Sequence, residues 1–107
     1  MFSYRSAMSS KNIEFEILKR LKLNPTHGYD IYKYLARNGF IAHNKASYVY
    51  KIIRRLEHKN LIETKELTSK GNRKKNMLSL TKEGRGFYYE KILQSAQDFL
   101  SVIIEAN

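Results

Sequence analysis

Basic and hydroxyl side chains recur at helical spacing between Ala46 and Lys59. On a helical wheel, the apolar residues Val49, Ile52, Ile53 and Leu56 lie on one side of this segment, and Ser47, Lys51 and Arg54 lie opposite them. Arg and Lys donate hydrogen bonds to guanine edges and phosphates, while Ser and Tyr hydroxyls reach either group. Taken alone, the pattern fits a nucleic-acid-binding helix and a solvated face that only keeps the chain soluble equally well, and a second basic cluster favours nucleic-acid binding. The candidate residues are Lys45, Ser47, Tyr48, Tyr50, Lys51, Arg54 and Arg55.

A second basic cluster lies in the segment TSKGNRKKN, from Thr68 to Asn76. It contains four Lys or Arg residues and no acid, so its charges repel one another unless a polyanion is near. We expect a loop around Gly71 whose side chains contact phosphates or enter a minor groove. The candidate residues are Lys70, Asn72, Arg73, Lys74 and Lys75.

The net charge of +10 comes from the first eighty residues. Residues 1–80 hold seventeen Lys or Arg and six Asp or Glu, whereas residues 81–107 hold three and four. A pI near 9.9 predicts attraction to polyanions, of which nucleic acid is the commonest. The last segment must have a different task.

Hydrophobic periodicity predicts six elements in the order helix, helix, helix, strand, strand, helix. This is the order of a winged helix-turn-helix, whose third helix enters the major groove. The expected fold is mainly α with a small β-hairpin. We expect a flexible tail over 1–9, a DNA-binding domain over 10–80 and a C-terminal dimerisation helix over 81–107. The predicted bounds are a helix from a Ser9 or Ser10 cap to Asn24-Pro25, helices over 26–38 and 46–59, strands over 61–67 and 77–80, and a helix from a Thr81 cap to about Glu105.

The final helix carries one continuous apolar stripe. A helix of about 24 residues is roughly 36 Å long, which exceeds the ~25–30 Å width of a small helical domain. Its distal part should therefore expose apolar side chains, and such a stripe usually marks a partner interface. We expect a homodimer that presents two recognition helices to two DNA half-sites. The interface candidates are Tyr89, Ile92, Leu93, Ala96, Phe99, Leu100 and Ile103.

No residue pattern points to catalysis, a metal or a cofactor. Cys is absent, and the three His residues lack the spacing of metal ligands. Gly84-Arg85-Gly86 is too short for a dinucleotide fingerprint. No stretch is apolar enough to span a membrane, and MFSYRSAMSSKN lacks the core of a signal peptide. We expect a cytoplasmic, nucleoid-associated protein that is not an enzyme.

Three segments resemble the PadR-like family of winged-helix transcriptional regulators: ILKRLKLNPTHGYDIYKYLARNG, ASYVYKIIRRLEHKNLIE and RKKNMLSLTKEGR. The resemblance spans about residues 13–86. It implies that the third helix reads DNA, that the hairpin is the wing and that the last helix dimerises. The family often senses small aromatic or drug-like molecules at its dimer interface, but this chain has no Trp to line such a pocket. Lys51 stands where the family often has Pro, so the base preference does not carry over.

The architecture is also similar to replication terminators and to the site-binding proteins of archaeal plasmid partition systems. These are winged-helix dimers that bind DNA without ligand control. The alternative function is therefore a DNA-organising or partition protein that spreads along DNA, with a partner ATPase. A protein-interaction adaptor is a third possibility, and it predicts no salt-dependent affinity for DNA.

Overall fold

Six elements follow one another in the computed structural model, which describes residues 8–68, 71 and 74–106. They are α1 (Ser10–Leu23), α2 (Gly28–Arg37), α3 (Ala46–His58), β1 (Ile62–Thr68), β2 (Lys74–Leu80) and α4 (Lys82–Ala106). β1 and β2 pair antiparallel as a two-stranded hairpin. The predicted fold class, mainly helical with a hairpin and a long last helix, is confirmed.

The start of α1 and the ends of α1 and α3 lie at the positions expected from the sequence. The Ser9 hydroxyl accepts from the backbone N–H of Asn12 at 3.3 Å, and Pro25 follows the end of α1. Asn60 adopts a left-handed backbone (φ 61°) after α3, a conformation that Asn tolerates better than most residues. Residues 1–7 of the expected tail lie outside the described residues, and Met8 packs against the core.

One hydrophobic core joins the three helices to the root of the hairpin. The side chains with no exposed surface come from one face of each helix, and Ile62, Leu78 and Leu80 add the root. α2 begins at Gly28 instead of the predicted Thr26, because Thr26 forms a bridge with Leu78 of β2 through hydrogen bonds of 3.1 and 2.8 Å. The helix residues are Ile13, Ile17, Leu18, Ile31, Leu35, Val49, Ile52 and Leu56.

The same threonine also organises the start of α2. Its hydroxyl donates to the carboxylate of Asp30 at 2.7 Å, and this hydrogen bond lowers the pKa of Asp30. The backbone and the side chain of Thr26 thus fix the start of α2 relative to the hairpin.

β2 begins at Lys74, three residues earlier than predicted. Lys74 and Lys75, which were expected in the loop, pair instead with Thr68 and Leu67 of β1. Leu67, Thr68, Lys75 and Asn76 in this outer half are exposed and show no apolar alternation, so the backbone hydrogen bonds of the ladder define the pairing there. Lys70, Asn72 and Arg73 lie outside the described residues.

α4 starts on the body of the protein and then leaves it. Gly84 N–H donates to the Thr81 hydroxyl at 2.8 Å, which is the predicted cap. Tyr88 is buried and stacks on Phe15 of α1, with ring centroids 5.2 Å apart. Every side chain from Tyr89 to Glu105 is exposed. Over the described part of the chain, no helix is long and apolar enough to cross a membrane.

Candidate nucleic-acid interface

The outward face of α3 carries unpaired cations. Ser47, Lys51 and Arg54 are exposed, while Val49 and Ile52 on the opposite face are fully buried. Within residues 8–68, 71 and 74–106, no carboxylate lies at ion-pair distance from Lys51 or Arg54. Their donors are therefore available to bases or phosphates. Lys45 is also exposed, at the N-cap position of α3.

Two tyrosines flank this face and are held differently. Tyr48 is half-buried and packs against the core. Tyr50 packs on Gly28 at the start of α2, where an added Cβ would lie 2.5 Å from the Tyr50 ring. Gly28 thus leaves the space in which the Tyr50 ring sits. Sequence reasoning treated Gly28 only as part of a family motif, because this contact between α2 and α3 depends on the fold.

A shallow cleft separates α3 from the hairpin. Glu57 of α3 accepts a hydrogen bond from the Thr64 hydroxyl of β1 across it. This contact connects the C-terminal half of α3 to the hairpin root. Sequence reasoning did not select Thr64 or Asn76, which share the cleft lining with Arg54. The lining residues are Gly28, Tyr50, Ile53, Arg54, Glu57, Thr64, Asn76 and Leu78.

Arg55 differs from its neighbour Arg54. Its guanidinium Nη1 lies 3.3 Å from a carboxylate oxygen of Glu14 in α1, and Lys59 Nζ lies 3.2 Å from the same oxygen. Arg55, on the flank of the face that carries Lys51, and Lys59, just after α3, are therefore drawn toward α1. The helical wheel of α3 predicts Arg55 as a DNA contact because a wheel does not show which neighbouring helix the flank of α3 contacts.

The hairpin extends the basic surface through Lys75, which is exposed on β2. Lys74 precedes it in the strand, opposite Thr68. Strand pairing continues to the last residue of β1, so these lysines sit on an ordered ladder near its outer end. The DNA-contact roles of these lysines and of the α3 residues stay predictions.

The expected interface residues of α4 are all exposed. They occupy one side of the helix at 3–4 residue spacing, whereas Gln94, Asp98 and Ser101 lie on the other. Lys22 of α1 lies over the Tyr89 ring, with its nitrogen 5.4 Å from the ring centroid. Ile104 extends the stripe beyond the predicted set. The predicted residues on this side are Tyr89, Ile92, Leu93, Ala96, Phe99, Leu100 and Ile103.

The described residues contain no group of three or more His, Cys, Asp or Glu side chains placed to hold a metal ion. Among such side chains, His27 precedes α2, and its Nε2 lies 3.9 Å from a carboxylate oxygen of Asp30. The chemistry that the surface offers is hydrogen bonding and charge pairing by Lys, Arg, Tyr, Ser and Asn.

Comparison with protein families gives a match over most of the chain. The sequence profile described as the Transcriptional regulator PadR-like family matches residues 17–90, from the third turn of α1 to the third turn of α4. The match includes all of α2, α3 and the hairpin. A comparison with curated proteins gave no match.

Solved structures show the same fold. A protein of Streptococcus mutans UA159 is 25% identical with a TM-score of 0.72, and the alignment covers 95% of this chain and 94% of that chain. A PadR family regulator of Clostridium difficile R20291 is 26% identical with a TM-score of 0.65, covering 87% and 94%. Bacillus subtilis PadR, solved in complex with operator DNA, is 23% identical with a TM-score of 0.66, covering 76% of this chain but 46% of that one.

Proposed function

The chain belongs to the PadR-like family of transcriptional regulators, and we propose that it acts as a homodimer that binds a specific double-stranded DNA site. In this proposal α3 enters the major groove and the hairpin contacts the adjacent backbone or minor groove. The chain is a DNA-binding regulator and not an enzyme. We also assign residues of α3 and the hairpin to DNA contacts, and residues of α4 to contacts with the second protomer.

The unpaired basic face of α3 carries the proposal. Lys51 and Arg54 are exposed on it, and the described residues offer them no carboxylate partner. Base-edge contacts specify sequence, whereas phosphate contacts fix register and orientation. We therefore assign base contacts to Lys51 and Arg54, and supporting contacts to Lys45, Ser47, Tyr48 and Tyr50.

Substituting either base-contact residue should weaken cognate binding selectively. Lys51→Ala or Arg54→Ala is expected to cost about 1–3 kcal/mol at the cognate site and less on random DNA, because only the cognate complex uses base contacts. A cognate site can be selected from a random duplex pool with the wild-type protein. Binding is then measured by fluorescence anisotropy on the cognate and scrambled duplexes.

Lys91→Ala is the matched control, because it removes the same charge from exposed α4. If both α3 variants bind the cognate duplex as Lys91→Ala does, α3 is not the recognition helix. If wild type shows no salt-dependent DNA affinity at all, the adaptor function replaces the regulator.

The hairpin lysine should behave in the opposite way. Lys75→Ala is expected to weaken cognate and random duplexes alike and to reduce the slope of log K against log salt by about one unit per protomer, because a phosphate contact carries no sequence information. Titrations at four salt concentrations measure the slope. A loss restricted to the cognate duplex, or a slope equal to that of Lys91→Ala, contradicts the phosphate role.

Footprinting separates a regulator from a protein that spreads along DNA. A protected region of constant length at rising protein concentration supports the regulator. Progressive extension supports instead a partition-like, DNA-organising role, for which the +10 charge of each protomer is also suited. A small-molecule effector would accompany the regulator role, and a partner ATPase would accompany the partition-like role.

A further inference from the structure

Glu14 is a buried carboxylate on the inner side of the basic surface. Glu14 lies in α1 and is 6% exposed. The other buried side chains of this helix are apolar and face the core. Two cations donate hydrogen bonds to the Glu14 carboxylate. Arg55 of α3 donates to Oε2 at 3.3 Å, and Lys59, at the C-cap of α3, donates to Oε1 and Oε2 at 3.3 and 3.2 Å. These partners are 41 and 45 residues away along the chain.

This arrangement holds both cations in place. A buried carboxylate is costly unless opposite charges and hydrogen bonds compensate it, so Glu14 keeps its partners close. The side chains of Arg55 and Lys59 are about half exposed, at 45% and 49%. Solvent and DNA can therefore reach them, and Glu14 competes directly with phosphates for their donors.

We propose that Glu14 withholds Arg55 and Lys59 from DNA phosphates and so lowers the affinity of the protein for DNA of any sequence. Non-specific affinity comes almost entirely from Lys and Arg contacts to phosphates. Each cation that a carboxylate retains removes one such contact. The proposal rests on the proposed function, because it requires α3 to be the helix that meets DNA. Glu14 acts through its two partners and is a positioning residue.

The matched pair of variants is Glu14→Gln and Glu16→Gln. Both remove one negative charge from α1, but Glu16 accepts only from the Tyr34 hydroxyl, at 3.0 Å, and has no ion pair in the described part of the chain. Any general charge effect appears in both variants, so a difference between them reports the two released cations. Thermal unfolding by circular dichroism verifies that each variant is folded.

Affinity for a scrambled duplex, measured between 50 and 300 mM salt, tests the proposal. Glu14→Gln is expected to bind about tenfold more tightly than Glu16→Gln at 0.1 M salt, with a slope steeper by about one to two units per protomer. The triple variant Glu14→Gln/Arg55→Gln/Lys59→Gln is expected to return to the wild-type slope. Equal binding by the two single variants, or weaker binding by Glu14→Gln, overturns the proposal.

A second variant decides the matter even if Glu14→Gln does not fold. Arg55→Gln leaves Lys59 to pair with Glu14, and it should leave both scrambled and cognate affinity within about twofold of wild type. A loss comparable to that of Lys51→Ala would mean that Arg55 contacts DNA, and the proposal would be wrong. Failure of the proposed function gives a different result from failure of the Glu14 proposal. In that case wild type and Lys51→Ala would have the same affinity as each other for cognate and scrambled duplexes.

Discussion

The Gly84→Ala variant is expected to lose about 3 kcal/mol of folding free energy, the upper range for a substitution that overpacks a core. A Cβ at this position would overlap the carbonyl oxygen of Leu61 and lie 2.9 Å from its carbonyl carbon. Both atoms are backbone. The same carbonyl accepts from the Thr81 N–H at 3.1 Å, so displacing it also breaks the junction between β1 and α4. Domains of this kind have only about 5–15 kcal/mol of stability in total.

Gly86 supplies the control for this substitution. It lies two residues further along α4, and a Cβ there would have no atom within 4 Å. Gly86→Ala should stabilise the protein by about 1 kcal/mol, because alanine is the better helix former. Urea unfolding followed by circular dichroism compares both variants with wild type. Equal midpoints for Gly84→Ala and wild type would show that α4 can shift away from Leu61 at little cost.

Local sequence signals predict the helices of this fold well and the hairpin less well. Ser9, Asn60 and Thr81 cap elements through contacts within a few residues, so their types alone indicate where elements begin and end. β2 extends to Lys74 because its backbone pairs with Thr68, and no side-chain pattern accompanies that pairing. The inner strand residues were predicted because their apolar side chains enter the core.

Some residues of the candidate interface can also be predicted from local sequence, whereas others depend on how distant elements pack. The exposure of Lys51 and Arg54 follows from the helical wheel of α3 alone. The capture of Arg55 by Glu14 depends on how α1 packs against α3, across 41 residues of chain. Likewise, position 84 needs glycine because the backbone of Leu61, which is far away along the chain, comes close to it. Residues whose roles depend on such packing could not be identified from spacing.

If α4 forms the proposed homodimer, the Leu100→Glu variant is expected to be a 12.6 kDa monomer. Leu100 lies within the apolar stripe of α4 and is 55% exposed in the single chain. Burying a large apolar side chain contributes about 1.5–3 kcal/mol, whereas a glutamate placed in the interface would be buried without a partner. The side chains from Glu90 to Glu105 are exposed in the single chain, and most helical stability in proteins comes from packing an amphipathic face. A second copy would provide that packing.

Gln94→Glu adds the same charge to the polar side of α4 and should leave the dimer intact. Sedimentation equilibrium gives the mass of each variant, and anisotropy on the cognate duplex gives its DNA affinity. Because a monomer contacts one half-site only, Leu100→Glu should bind the full site at least about a hundredfold more weakly, while Gln94→Glu binds as wild type does. A monomeric wild type, or a dimeric Leu100→Glu, would rule out α4 as the dimer interface. Reduced helicity of Leu100→Glu together with its monomeric mass would show that the distal half of α4 folds only against its partner.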